Sequence, residues 1–201
     1  MTERMDHETP EQALTVETRM EKQALRKKRA GWKTEMWEWA RALLITVAAV
    51  LVFRTFIAEP IRVSGPSMLD TLVTDQIMLV YKTGYILGQP SRYDVSVCHF
   101  PNSEDTFVKR IIGLPGETLE IIEGHVYING APLPPEAYVV HPLKQNFGPV
   151  VLGEDEYFLM GDNRADSSDC RVVGPLSKKA LVGKSLAVFW PIPQAHIIRH
   201  D

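Results

Sequence analysis

Thr106-Phe107-Val108-Lys109-Arg110-Ile111-Ile112 is the stretch on which the fold turns. β-Branched and aromatic side chains dominate it, Gly113 and Pro115 close it, and its length suits a strand better than a helix. Alternate side chains of a strand share a face, so Lys109 stands with Phe107 and Ile111, opposite Val108 and Arg110. On that apolar face the amine loses hydration. The charged form is penalised, the pKa falls, and the amine becomes able to accept a proton near neutral pH. A lysine at a strand edge with its ammonium in water fits the same residues.

Similar short runs lie on both sides, at 77–81, 95–100, 118–122, 126–128, 157–160 and 185–190, separated by Gly, Pro, Asn and Asp. Asn129-Gly130 directly after Val126-Tyr127-Ile128 is a hairpin signal. Many short strands without a long helical period predict a mainly β domain, an antiparallel sheet or distorted barrel. The stretch 131–148 holds Pro132, Pro134, Pro135 and Pro142 and reads as an irregular surface excursion.

Upstream the pattern changes. An unbroken apolar run from Ala42 to Phe53 is flanked by Trp37, Trp39 and Arg41 on one side and Arg54 on the other. With its flanks it reaches the roughly 20 residues a spanning helix needs, with arginines able to snorkel and tryptophans suited to the interface. A buried soluble helix would show a polar face, which this run lacks. A cleaved secretory signal would carry small residues before its cut, where Phe56 and Ala58 stand. An uncleaved transmembrane anchor over 37–58 is therefore expected, behind a charged tail over 1–36 and ahead of a β-rich domain over 59–201. Lys22, Arg26, Lys27, Lys28, Arg29 and Lys33 crowd the N-terminal side. By the positive-inside rule the tail is cytoplasmic and the β domain extracytoplasmic.

Two further stretches bear on chemistry. Gly65 and Pro66 in Val63-Ser64-Gly65-Pro66-Ser67-Met68-Leu69-Asp70-Thr71-Leu72 set Ser67 on a bend, where a hydroxyl can act as nucleophile if a base takes its proton; a solvated turn serine is the plainer reading. In Gly161-Asp162-Asn163-Arg164-Ala165-Asp166-Ser167-Ser168-Asp169-Cys170-Arg171 a turn follows a strand. Ser167, Asp169 and Arg171 alternate after it, so an extended backbone would give them one face able to brace a base. A polar loop tied by its own salt bridges is the alternative. The 201 residues carry a net charge of -3, which excludes a chain-wide basic field for nucleic acid. Cys98 and Cys170 have no metal-ligand spacing and read as free buried thiols, a disulfide staying open outside the cytoplasm.

Taken in order behind the anchor, these stretches resemble the type I bacterial signal peptidases, serine-lysine proteases that remove signal peptides from exported proteins. The resemblance runs from the anchor to Pro191. Ser67-Met68 with Thr71-Leu72 is similar to the nucleophile box, 75–82 and 93–101 to the strand boxes, 109–116 to the lysine box, and 161–171 to the last one. It implies Ser67 as nucleophile and Lys109 as general base, Ser167 orienting the lysine, and Asp169, Arg171, Asp162 and Arg110 as supports. Gly65 stands where some members carry a second hydroxyl donor. No metal or cofactor is implied; the partners are signal-peptide-bearing pre-proteins and the bilayer, and the oligomeric state is left open. Three positions depart from the family: Asp70 replaces its usual proline, Tyr93 a glycine and Cys170 a serine. A self-cleaving regulator would need a DNA-binding module where the anchor lies. A β module that binds secretion substrates without cutting them is the non-enzymatic alternative.

Overall fold

The structure, a computed structural model, describes residues 32, 34–139 and 141–200. It divides into two compact units, residues 1–51 and 52–201. The predicted charged tail lies outside the described residues up to 31, and residues 34–36 already belong to the first helix.

That helix, α1 (Thr34–Ile57), is long and apolar enough to cross a membrane. At 1.5 Å per residue it is about 36 Å long, a bilayer's hydrocarbon thickness with some tilt. Leu43, Leu44, Val50 and Phe53 along it are exposed, so it has an apolar surface with no core of its own. Its last turn has π-helical geometry and ends where Ala58 becomes extended.

The second unit is built on antiparallel strands. In chain order they are β1 (Ala58–Arg62), β2 (Ile77–Tyr81), β3 (Val95–His99), β4 (Thr106–Gly113), β5 (Thr118–Ile122), β6 (His125–Ile128), β7 (Ala131–Pro132), β8 (Phe147–Val151), β9 (Glu156–Met160), β10 (Leu176–Ser177), β11 (Leu181–Trp190) and β12 (His196–Ile197). One sheet has the order β1-β2-β11-β3-β4-β9-β10, with β12 also on β11; the other has the order β7-β6-β5-β8. Short helices α2 (Thr83–Leu87) and α3 (Cys170–Val173) punctuate them. The mainly β expectation is met.

Asn129 and Gly130 have φ of 52° and 79° and join β6 to β7. Positive φ at both positions suits a type I′ turn, whose twist matches that of the strands. The asparagine also accepts the Thr118 N–H through Oδ1, tying the hairpin to β5.

Three expectations need correction. β11 starts at Leu181, earlier than 185, because Gly183 and Lys184 interrupt the apolar pattern; Gly183 is required by the Tyr81 carbonyl, 2.6 Å from where a Cβ would stand. The stretch 131–148 is not wholly a surface excursion, since it begins in β7, runs into β8 and packs Leu133 and Tyr138 on the core. In β4 both faces are covered rather than one, so Lys109 and Arg110 are both buried although they point oppositely.

The core falls into two clusters. Ile111, Leu119, Phe158 and Leu159 belong to the one nearer the small sheet. Met68, Leu72, Met78, Val95 and Ile198 belong to the other, under the loop between β1 and β2.

Candidate active site

That loop presents Ser67. Its base is closed by two backbone bonds, Val63 N–H to the Gln76 carbonyl at 2.8 Å and Asp75 N–H to the Val63 carbonyl at 2.9 Å. Within it, Leu69 N–H reaches the Pro66 carbonyl at 3.1 Å and Leu72 N–H the Met68 carbonyl at 2.8 Å. Met68 and Leu72 are buried, so hydrophobic burial pulls the turn down from beneath and leaves Ser67 partly exposed at its top. Gly65 has φ of 85°, which a side chain resists, although no atom lies within 4 Å of a Cβ there. The Leu69–Asp70 peptide is cis.

Lys109 comes from β4, separated from β2 by β11 and β3 in the sheet order. Its Nζ is hydrogen-bonded to Ser67 Oγ at 2.6 Å, and the residue is 3% exposed. Burial lowers its pKa, with a smaller push the same way from Arg171, while the Asp169 carboxylate opposes the shift. Cys98 and Cys170 lie near enough to interact with it electrostatically; both are free and buried, and burial pushes both thiols up to about 12. They therefore stay neutral and act as dry packing around the amine.

The turn after β9 fixes Ser67 from the side. Asn163 N–H donates to the Ser67 carbonyl at 3.1 Å, and Asn163 Nδ2 to the Pro66 carbonyl at 3.2 Å. Gly161 makes this approach possible, because a Cβ there would lie 2.3 Å from Ser167 Oγ and 2.5 Å from the Ser67 carbonyl oxygen. Asp162, wholly buried, accepts Arg110 Nε at 2.9 Å, Arg110 Nη2 at 2.7 Å and the Thr71 hydroxyl at 2.6 Å. One ion pair thus joins the Lys109 strand, the turn after β9 and the Ser67 turn. Tyr138 covers the guanidinium, its ring centre 3.8 Å from Arg110 Cζ.

Asp169 and Arg171 behave differently from the sequence expectation. The backbone is not extended there, because Asp169 caps the N-terminus of α3 and accepts the Arg171 N–H. The two side chains form a bidentate pair, Nε to Oδ1 and Nη2 to Oδ2, both at 2.8 Å. Burial alone would raise the Asp169 pKa; Arg171 and the Gly161 N–H outweigh it and hold the carboxylate low. The pair influences Lys109 by charge rather than as the single shared face expected. Ser167 Oγ is buried beside Gly161, and its hydroxyl helps to hold the Asp169 carboxylate low. It makes no direct bond to Lys109.

Sequence reasoning passed over Asn163 as an anchor and missed Tyr138. An asparagine in a turn signals only the turn, and nothing local ties a tyrosine among prolines to an arginine in a strand.

A cavity of about 280 Å³ opens beside Ser67 and Lys109, between residues 62–65 and 105–108. A larger one of about 780 Å³ lies on the Arg110 side, bounded by Asp70 and Tyr138, and contains neither Ser67 nor Lys109. Ser67 and Lys109 both line the smaller. A buried amine touching a hydroxyl at the edge of a cleft can deprotonate it for attack on a carbonyl.

Residues 36–190 match the model of a protein family described as signal peptidase, peptidase S26. The chain is 32% identical to a probable signal peptidase I-2 of Synechocystis, over 87% of this chain and 83% of that one. It is 37% identical to a signal peptidase I of Bacillus licheniformis, over 79% and 91% respectively. A crystal structure of a signal peptidase I from Enterococcus faecalis is 31% identical and aligns with a TM-score of 0.44 over 48% of this chain and 96% of that one.

Proposed function

The chain belongs to the signal peptidase family, peptidase S26, and from that premise we propose that it is a membrane-anchored endopeptidase cutting signal peptides from exported pre-proteins with Ser67 and Lys109. Family membership makes it a serine endopeptidase of the signal peptidase class. The assignment of the working pair rests on one observation, the 2.6 Å contact between a buried amine and a turn hydroxyl.

In its neutral form Lys109 takes the Ser67 proton as Oγ attacks the scissile carbonyl. The ammonium so formed gives its proton to the leaving amine. Water then enters, is deprotonated by the same amine, and hydrolyses the acyl-enzyme. The Ser67 backbone N–H stabilises the oxyanion, worth about 3 kcal/mol per donor in comparable sites. Asp162 with Arg110, and Asp169 with Arg171, keep the two halves of the pair in register. Pre-proteins are cut after small residues, in the cleft flanked by residues 62–65 and 105–108.

Residues 37–58 anchor the protein in the bilayer, with the tail 1–36 cytoplasmic and the domain 59–201 on the far side. Confining enzyme and substrate to one membrane raises their effective concentration. The test is cleavage of a pre-protein at its signal junction by the detergent-solubilised protein. Ser67→Ala and Lys109→Met should each abolish it, and full cleavage by both variants would end the assignment.

A further inference from the structure

Ser67 and Lys109 come from elements that are not neighbours. The turn carrying Ser67 hangs between β1 and β2, Lys109 lies on β4, and β11 and β3 intervene in the sheet. Coiling or shear across those strands would change the separation of the two groups without breaking any ladder.

Downstream of the stretch shared with the family, the chain folds back over this region. Pro191 and Pro193 end β11, a single 3-10 turn follows at Ile192–Gln194, and β12 pairs with Ala187 and Val188. From Gln194 to His200 the segment then meets each element that bears the pair. Gln194 Oε1 accepts Gln76 Nε2 at 2.9 Å, while Gln76 Oε1 accepts the Val73 N–H, so the base of the nucleophile loop is tied down. Ile198 is 1% exposed and packs in the same cluster as Met68 and Leu72, under the nucleophile turn. The Arg199 carbonyl accepts Arg110 Nη1 at 3.0 Å, one residue from Lys109. His200 Nδ1 accepts the Val95 N–H at 3.2 Å, and Val95 is paired with Arg110 across the β3–β4 ladder.

We propose that this C-terminal strap is a positioning element for the cleavage reaction, with Ile198 and His200 as its positioning residues. It ties the turn of Ser67 to the strand of Lys109 from behind and so fixes the gap between Oγ and Nζ. The strap contacts neither reacting atom and lines no part of the cleft beside them. Loosening it therefore lowers the rate of the chemical step and leaves substrate binding alone. The inference rests on Ser67 and Lys109 being the working pair.

The test uses the full-length protein in detergent with a pre-protein substrate, at a temperature where circular dichroism shows each variant folded. Ile198→Ala and His200→Ala are expected to lower kcat about tenfold with KM within about twofold, since small misplacements of reacting groups are costly in rate. His200→Asn, whose side-chain oxygen can accept the Val95 N–H in place of Nδ1, restores most of the loss. Ile198→Val serves if the alanine variant does not fold, with a loss of about threefold. Unchanged kcat in folded Ile198→Val and His200→Ala, or no recovery in His200→Asn, overturns the proposal. Ser67→Ala and Lys109→Met run beside them separate the two claims. If these still cleave, the pair itself is wrong; if they are dead while the strap variants keep full kcat, only the strap inference fails.

Discussion

At the scale of single residues the decisive fact is the cost of keeping Lys109 dry. Its pKa in the folded chain lies below the ordinary lysine value, so between the two the unfolded chain holds a proton that the folded chain refuses. Stability contributed by this residue therefore falls as pH drops through that window, and the penalty is complete below the lowered pKa. Cleavage should titrate in the same direction, rising as the amine loses its proton, which a pH profile of kcat/KM checks. Lys109→Met removes both the penalty and the amine proposed as the base. It should abolish cleavage yet stabilise the protein by about 1 kcal/mol in chemical denaturation, as active-site residues often trade stability for function. Asp162 is the opposite case. Asp162→Ala strands a guanidinium that is 1% exposed, and should cost about 3–5 kcal/mol in the same measurement.

Among the elements, turns were read well and long-range ties were not. Asn129-Gly130 marked its hairpin because the dipeptide suits the positive φ that the twist demands. β2 and β5 matched their apolar runs to the residue, and the apolar neighbours of Lys109 foretold its burial but not that of Arg110 on the opposite face. By contrast β1 was missed because Glu59, Pro60 and Arg62 leave it no apolar run, and Asp169-Cys170-Arg171 looked extended when the aspartate in fact starts a helical turn. Tyr93 has a φ of 69°, a conformation that favours glycine, and its ring, 6.1 Å from that of Tyr138, packs beside the guanidinium cover. Pairing of Asp162 with Arg110 was beyond local reading, since 52 residues separate them. The turn after β9 supplies the test at this scale. Gly161→Ala would force the Ser67 and Ser167 segments apart, so kcat should fall by about 100-fold with the fold retained. Cys170→Ser should do little, because either side chain can accept the Leu159 N–H, and activity should stay within about twofold.

For the molecule as a whole, the unit 52–201 holds the entire Ser67–Lys109 arrangement, whereas α1 supplies an apolar surface long enough for a bilayer. A fragment starting at Val52 should keep kcat on a short soluble peptide while losing most of its rate on membrane-inserted pre-protein, as compared in liposomes. The two sulfurs described around Lys109 carry one more practical consequence. Cys98 and Cys170 are the only cysteines in the chain, and both are sealed from solvent. A maleimide reagent added to intact cells should therefore pass over the native protein, and a single engineered thiol becomes a clean reporter of sidedness. Val151→Cys, at an exposed site on β8, should be labelled from outside, and Thr2→Cys only once the cells are opened.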